Sequence, residues 1–151
     1  AQVAGLLGRA PRAGFEVVVR DVDGRPVVIR NDPLLADGTP MPTRWWLVGE
    51  AERAAVSQLE AGGGVRRAER EVDPVALADA HSRYAAERDS ALPVGHAGLR
   101  PAGGVGGARR GVKCLHAHLA WWLAGGDDPV GAWVADRLPG GGGRAGAEPG
   151  S

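Results

Sequence analysis

The amino-acid sequence predicts an α+β fold in which a small antiparallel sheet of about three strands packs against about four helices in two layers. Valine-rich segments separated by turn residues fill the first third of the chain, and segments with helical spacing and capping residues follow. The chain has 151 residues, 44% of them hydrophobic, which suits one domain, expected over residues 1–138. Residues 139–151, PGGGGRAGAEPGS, are expected to form a flexible glycine-rich tail.

The predicted strands lie near the start of the chain, after a short helix expected at residues 2–8. The segments FEVVVR and PVVIR, residues 15–20 and 26–30, flank an Asp-Gly turn, which predicts a β-hairpin. A third strand is predicted at TRWWLV, residues 43–48. Residues 31–42 contain three prolines and are expected to form an ordered loop.

Four helices are predicted after the strands, from apolar spacing and from the residues at their ends. Asp73 is a capping carboxylate followed by Pro74, and Gly125 ends the helix that contains the segment KCLH. The predicted helices occupy residues 50–61, 73–90, 112–124 and 127–138. The highly charged residues 65–72 are expected to form an edge strand or a loop, and the glycine-rich residues 91–111 a loop.

Charge and hydropathy restrict the partners that the chain is expected to bind. The 18 basic residues are balanced by 18 acidic residues, which argues against a nucleic-acid partner. No apolar run approaches the roughly 20 residues needed to cross a bilayer, which argues against a membrane partner. No signal peptide is recognised, and the single cysteine, Cys114, excludes an internal disulfide and fits a reducing compartment. The expected location is therefore the cytoplasm.

The rarest reactive side chains are gathered in one segment, GVKCLHAHLA, which starts at Gly111 and holds the only cysteine, the only lysine and two of four histidines. Cys114 and His118 are four residues apart and are predicted to share a helix face. Cys114 is also expected in the first helical turn, where free backbone N–H groups favour an anion. Lys113 and Arg110 add positive charge there, which favours a reactive thiolate. The alternative is a buried, inert cysteine that packs as a small hydrophobic residue.

Zinc is a second interpretation of this segment, because cysteine and histidine four residues apart can both bind it. Either His81 or His96 could complete the shell. The sequence contains neither CxxC nor HExxH, and the ligands would come from distant segments. No cofactor is therefore predicted, and zinc at Cys114 and His118 stays open as the alternative.

Two further stretches are candidates for ligand binding. The loop RPAGGVGGARRGVK, residues 100–113, places glycines and basic residues before a helix start, which favours a phosphate or carboxylate cradle; plain flexibility is the alternative. Three polar residues spaced by three and four share one face of a predicted helix: His81, Tyr84 and Arg88. That face is expected to turn toward a cleft, or else to be a solvated surface.

Two shorter motifs near the N-terminus are also candidates. The segment DGTPMPT could place Asp37, Thr39 and Thr43 at a sheet edge, and the alternative is a turn capped by its own side chains. Arg9 and Arg12 flank a proline, and a rigid pair of guanidinium groups suits an anion. The alternative for this pair is ordinary surface arginine.

These residues support two hypotheses of different classes. In the first, the chain binds or converts a small anion such as a phosphate ester, with Cys114 as nucleophile or anchor and His118 or His81 as acid–base group. The predicted ligand-binding residues are Arg9, Arg12, Asp37, Thr43, Tyr84, Arg88, Arg110, Lys113 and His116. In the second, a non-catalytic module binds a protein partner through its Trp-Trp pairs at 45–46 and 121–122. Whether the chain is an enzyme stays open.

Several of these segments together resemble the domain of unknown function 501 family of actinobacteria and some other bacteria. They are LGRAPR, DPLLADGTPMPT, WWLV and GVKCLHAHLAWWLAGGDDPVG, and the resemblance covers residues 6–138. The family supplies no reaction. Its genes often lie near those of a septum-formation-initiator-like protein and an exopolyphosphatase. The resemblance therefore implies a cytosolic bacterial protein with a link to cell division or polyphosphate metabolism.

The family pattern also implies which positions of this chain are functional. It falls on Arg9, Pro11, Arg12, Asp37, Gly38, Pro40, Pro42, Thr43, His81, Tyr84, Arg88, Lys113, Cys114, Leu115 and His116. The chain departs from the pattern after the third strand, where members often carry Cys-Pro and this sequence has Gly49 and Glu50. A metal or disulfide role that needs that second cysteine cannot operate here, which favours a single-cysteine or anion site.

Overall fold

Three antiparallel strands form a single sheet in the part of the chain that the structure describes. The structure is a computed structural model that describes residues 2–7 and 13–139. The strands follow one another in the sheet in chain order, and they are β1 Ala13–Arg20, β2 Pro26–Leu35 and β3 Trp45–Leu47.

The turn between β1 and β2 has the chemistry that the sequence predicts. Asp21 Oδ1 accepts hydrogen bonds from the backbone N–H groups of Asp23 and Arg25, both at 2.9 Å. Gly24 has φ of +82°, a conformation that favours glycine. This turn sets the register in which Val17 lies opposite Ile29, and the predicted hairpin is confirmed.

Six α-helices accompany the sheet within the described residues, so the α+β prediction is confirmed. One precedes the sheet and five follow it, and a short 3₁₀ turn occupies Val105–Gly107. The helices are α1 Gln2–Leu7, α2 Glu50–Ala61, α3 Gly64–Glu71, α4 Pro74–Ser90, α5 Leu115–Leu123 and α6 Pro129–Ala135. None of these helices has the length and apolar character needed to span a membrane.

The core lies mainly between the sheet and the C-terminal helices. α5 packs on β3 and against α6, and α2 packs on α5. Because side chains alternate along a strand, Val28 and Leu47 join this core, whereas Ile29 and Trp46 face the opposite side of the sheet. Val3 of α1 packs there, so α1 adds a small cover to the second face of the sheet, beyond the two predicted layers.

The prediction of an edge strand or loop at residues 65–72 is wrong, because these residues form most of α3. Ala68 and Val72 are buried at helical spacing, while the many charged residues between them are exposed. The dense charge hides this short apolar stripe in the sequence. Gly63, with φ of +85°, makes the sharp break between α2 and α3.

Several other element boundaries differ from the prediction, among them those of β2 and α5. β2 continues to Leu35 inside the predicted loop, since Asn31 donates its backbone N–H to the Arg44 carbonyl at 2.6 Å and Met41 donates to the Pro33 carbonyl at 2.8 Å. α5 begins at Leu115, three residues later than predicted.

Candidate functional site

Cys114, His116 and Glu60 form a compact cluster where the start of α5 meets the end of α2. Cys114 Sγ lies 3.7 Å from His116 Nδ1, and the same nitrogen lies 3.2 Å from Glu60 Oε1. The sulfur, a ring nitrogen and a carboxylate oxygen all lie within 4.8 Å of one another, and all three residues are partly exposed. A thiol, an imidazole and a carboxylate therefore meet at one accessible point.

The backbone at the start of α5 explains this arrangement. Cys114 is the residue before the helix and is extended, with φ of −154° and ψ of 129°. Its side chain does not cap the helix; instead Glu60 Oε2 accepts a hydrogen bond from the Leu115 N–H at 2.8 Å. A carboxylate is favoured at this position, because the N-terminal N–H groups of a helix are unpaired and carry partial positive charge.

α2 contributes a second contact to the cluster. Ser57 Oγ lies 3.2 Å from His116 Nε2, so both ring nitrogens of His116 have polar neighbours. The hydrogen bond and charge of Cys114, followed by the charge of Glu60, raise the pKa of His116 above its ordinary value, although burial opposes the change. The imidazole is accordingly suited to hold a proton between the thiol and the carboxylate.

The cluster opens on a pocket of about 360 Å³. Cys114 and His116 line it together with two cationic residues, Lys113 and Arg53. Arg53 is anchored, since its Nη1 donates to the Leu6 carbonyl at 2.8 Å. The remaining walls are mainly aromatic and apolar and include Thr43, Trp45, Trp46 and Leu47. Apolar walls with a few convergent polar groups are typical of small-molecule sites.

A family model described as "Protein of unknown function (DUF501)" matches residues 17–136, most of the chain and all of this cluster. The chain belongs to the DUF501 family. No curated protein and no solved structure matches it. The resemblance drawn from the KCLH segment is thereby confirmed, and the DUF501 fold places Cys114, Lys113 and His116 of that segment around one pocket.

The predicted pairing of Cys114 with His118 is wrong. The prediction assumed that both residues are helical, but Cys114 is extended and its sulfur contacts His116. His118 is fully buried, and its Nδ1 lies 2.7 Å from Asp128 Oδ2, which is fully buried too. Asp128 Oδ1 accepts the Val130 N–H at 2.9 Å, so this pair joins α5 to the start of α6. The zinc alternative at Cys114 and His118 stays a prediction, without the shared helix face on which it was based.

His81 also lies outside the cluster in this DUF501 chain, and both of its ring nitrogens have backbone partners. Nδ1 accepts the Val105 N–H at 3.0 Å and Nε2 donates to the Gly111 carbonyl at 2.8 Å. Burial, and next the charge of His118, lower the pKa of His81, against the Gly111 hydrogen bond. His81 therefore holds the glycine-rich loop on α4 as a neutral ring and is not placed for acid–base work at Cys114.

Tyr84 and Arg88 are buried, so neither of these two side chains lies on a solvated surface. The Tyr84 hydroxyl accepts the Arg44 N–H at 2.7 Å, and burial raises the pKa of Tyr84 to about 12. Arg88 is 1% exposed and donates from Nη1 to the carbonyls of Pro42 and Gly103 at 3.0 and 2.9 Å. Both residues attach loops to α4, and their predicted role in ligand binding stays a prediction.

The predicted phosphate cradle in residues 100–113 is filled by the protein itself. Glu69 Oε1 accepts the Val112 N–H at 2.8 Å, as Glu60 does for the Leu115 N–H. Arg110 lines a different pocket of about 460 Å³, beside Arg109 and His81. Carboxylates therefore occupy two backbone N–H groups that the predicted cradle would offer, those of Val112 and Leu115.

The other predicted site residues are dispersed. Asp37 Oδ1 accepts the Thr39 N–H at 2.9 Å, which matches the alternative of a capped turn, and Thr43 lines the Cys114 pocket. Arg9 and Arg12 lie outside the described residues. His96 Nε2 lies 2.9 Å from the Leu99 carbonyl, in the loop after α4.

The tryptophan pairs do not form an exposed patch in the described part of the chain. Trp45 and Trp121 are buried with their rings stacked at 6.0 Å, and Trp133 is buried as well. Trp46 and Trp122 are half-buried. One tryptophan of each pair therefore packs in the core instead of contributing to the predicted docking surface.

Sequence reasoning missed the part of the site that α2 supplies. Arg53, Ser57 and Glu60 are spaced by four and three, so they lie along one helix face, and all three reach the pocket or the cluster. This polar stripe on a predicted helix is the sequence signal for the face that meets the cluster. The packing of α2 on α5 determines which residues this stripe contacts.

Proposed function

We propose that this DUF501 protein is an enzyme that acts through Cys114 on a small anionic compound. One observation carries the proposal: the Cys114 sulfur and the His116 imidazole meet at 3.7 Å in the wall of a pocket that Lys113 and Arg53 also line. A thiol with an adjacent base is the arrangement that activates a cysteine nucleophile. The two cations supply the attraction for a phosphate or carboxylate group.

The first step is nucleophilic attack. His116 Nδ1 takes the proton from the Cys114 thiol, and the sulfur forms a bond to an electrophilic carbon or phosphorus atom of the bound anion. The bond to the leaving group breaks, and the leaving group takes its proton from the His116 imidazolium. Water then attacks the thioester or thiophosphate, His116 accepts a proton from that water, and the thiol is restored.

The surrounding residues give each of these groups a task. Glu60 Oε1, 3.2 Å from Nδ1, stabilises the imidazolium while it holds the proton. Lys113 and Arg53 balance the negative charge of the substrate. The pocket volume of about 360 Å³ is at the small end of ligand pockets, which favours a compact substrate. The free thiol that this chemistry needs is consistent with the cytoplasmic location expected from the sequence.

A burst experiment tests the nucleophile. Metal-free protein, kept in chelator, is mixed with p-nitrophenyl phosphate and, separately, with mono-p-nitrophenyl succinate. We expect one of these probes to release p-nitrophenolate in a burst of one equivalent, with the adduct mass on the Cys114 peptide. Cys114→Ser abolishes the burst, whereas His96→Gln leaves it unchanged. Equal turnover by wild type and Cys114→Ala would overturn the proposal.

The alternative of a non-catalytic interaction module has less support. That alternative requires exposed tryptophan side chains, and the tryptophans among the described residues are buried or half-buried. The exposed large apolar side chains are single residues far apart in the sequence, such as Val22, Val75 and Leu99. Scattered apolar residues are normal on a monomeric surface.

A further inference from the structure

We propose that Glu60, Cys114 and His116 bind one zinc ion, and that zinc bound there prevents the Cys114 thiol from acting as a nucleophile. The inference rests on the site of the proposed function but does not depend on turnover there. It also differs from the zinc alternative at Cys114 and His118, because Glu60 and His116 are new ligands. Glu60 and Cys114 are far apart in the sequence and meet only in the fold.

The distances from His116 Nδ1 to the other two candidate ligand atoms match a tetrahedral zinc site. Zinc binds thiolate at about 2.3 Å, histidine nitrogen at about 2.0–2.1 Å and carboxylate oxygen at about 2.0–2.2 Å. At tetrahedral angles these bond lengths place sulfur and nitrogen about 3.6 Å apart, and nitrogen and oxygen about 3.4 Å apart. The corresponding distances here are 3.7 Å from Cys114 Sγ to His116 Nδ1 and 3.2 Å from Nδ1 to Glu60 Oε1. The sulfur and the carboxylate oxygen lie within 4.8 Å of each other, and tetrahedral binding would bring them to about 3.6 Å.

The ligands are also held by outer contacts of the kind that orient metal ligands. Ser57 Oγ lies against His116 Nε2, which leaves Nδ1 for the ion. The Leu115 N–H donates to Glu60 Oε2, which leaves Oε1 for the ion. Both supporting contacts come from atoms that take no part in binding, so the site is formed before the metal arrives.

The donor set selects zinc over the harder cations. A thiolate and an imidazole are poor ligands for magnesium and calcium, which prefer oxygen, whereas zinc binds cysteine, histidine and carboxylate together. Three protein ligands leave a fourth position open, and the neighbouring pocket is where Lys113 and Arg53 lie. A zinc-bound Cys114 is a ligand rather than a free nucleophile, so zinc competes with alkylation and with attack on substrate.

The same three residues could instead form only an ion pair among themselves, and a zinc titration separates the two possibilities. Metal-free full-length protein is titrated with zinc in competition with a chromophoric chelator. We expect one zinc per chain. Cys114→Ser, His116→Gln and Glu60→Gln each weaken binding by more than the roughly 10–100-fold that loss of an outer-shell partner costs. Ser57→Ala, which removes such a partner, weakens it within that range, and His96→Gln does not change it.

Two further readouts make the result specific. Cobalt in place of zinc should give a sulfur-to-metal charge-transfer band that Cys114→Ser abolishes and Glu60→Gln retains. Saturating zinc should stop alkylation of Cys114 by iodoacetamide, and chelator should restore it. Zinc binding that survives both Cys114→Ser and His116→Gln, or alkylation that proceeds in saturating zinc, overturns the inference.

The two proposals fail separately. A protein that gives the nitrophenolate burst in chelator but binds no zinc keeps the thiol chemistry and loses the metal site. A protein that binds one zinc through Cys114 but gives no burst keeps the metal site and loses the proposed reaction.

Discussion

Replacing Arg88 should destabilise the whole domain, because this side chain holds two loops on α4. Its Nη1 donates to the carbonyls of Pro42 and Gly103 at 3.0 and 2.9 Å, and the residue is 1% exposed. Hydrogen bonds from a charged donor each contribute about 1.5–3 kcal/mol, and Arg88→Met removes the donor from two partly buried carbonyls. We expect a loss of about 3–5 kcal/mol, the usual cost of breaking a buried charged network.

Urea denaturation followed by tryptophan fluorescence measures this loss. At an m-value of about 2 kcal/mol/M, the unfolding midpoint should fall by about 1.5–2.5 M in Arg88→Met. Arg66→Met, on the exposed side of α3, is the matched control and should change stability by no more than about 0.5 kcal/mol. Equal midpoints for the two variants would refute the structural role of Arg88 and return it to the candidates for ligand binding.

Two further predictions concern buried positions. Burial lowers the pKa of His81, which faces His118 and Asp128. As the pH falls, the unfolded protein therefore takes up a proton at His81 before the folded protein does. The free energy of unfolding is highest above pH 6.5, the ordinary pKa of histidine, and decreases as the pH drops below it. Urea midpoints between pH 7.5 and 5 should show this slope, and His81→Gln should flatten it. Gly131→Ala should cost about 1–3 kcal/mol in the same assay, since its Cβ would lie 2.6 Å from the His118 carbonyl oxygen. Gly5→Ala, with open space around it, should cost nothing; equal effects would contradict the close packing of α5 on α6.

Local signals were enough to predict most of the fold. The Asp-Gly turn between valine-rich segments specifies the hairpin, and Asp73 before Pro74 specifies the start of α4, where Asp73 accepts the Ala76 N–H at 3.2 Å. α3 was missed because charges surround its short apolar stripe. The extension of β2 was missed because Pro33 suggests a break, yet this proline offers its carbonyl to Met41 and needs no N–H of its own.

The candidate site was predictable only where its residues are neighbours in the sequence. Lys113, Cys114 and His116 lie within four positions, so the segment itself indicated them. The pairing of Cys114 with His118 failed because the rule of four applies only inside a helix, and Cys114 lies before its first turn. Glu60 joins through the packing of α2 on α5, which periodicity does not specify.

The spacing of Tyr84 and Arg88 correctly predicted that they share one face of α4, but it did not predict that this face is buried. Helical periodicity places two residues side by side without indicating what covers them. Here loop carbonyls and a backbone N–H cover that face, so polar side chains that suggest a ligand site are satisfied by the chain itself. Buried polar groups need such partners, whether or not a ligand is present.

The most direct test of the account compares two alkylating reagents at Cys114 in metal-free protein: iodoacetate, which is an anion, and iodoacetamide, which is neutral. The ratio of their rates is referred to the ratio for glutathione at the same pH. The account predicts that the protein favours iodoacetate relative to glutathione, that Lys113→Met lowers this preference about threefold or more, and that phosphate slows both reagents. A ratio equal to that of glutathione, unaffected by Lys113→Met and by phosphate, would contradict an anion-binding pocket at Cys114.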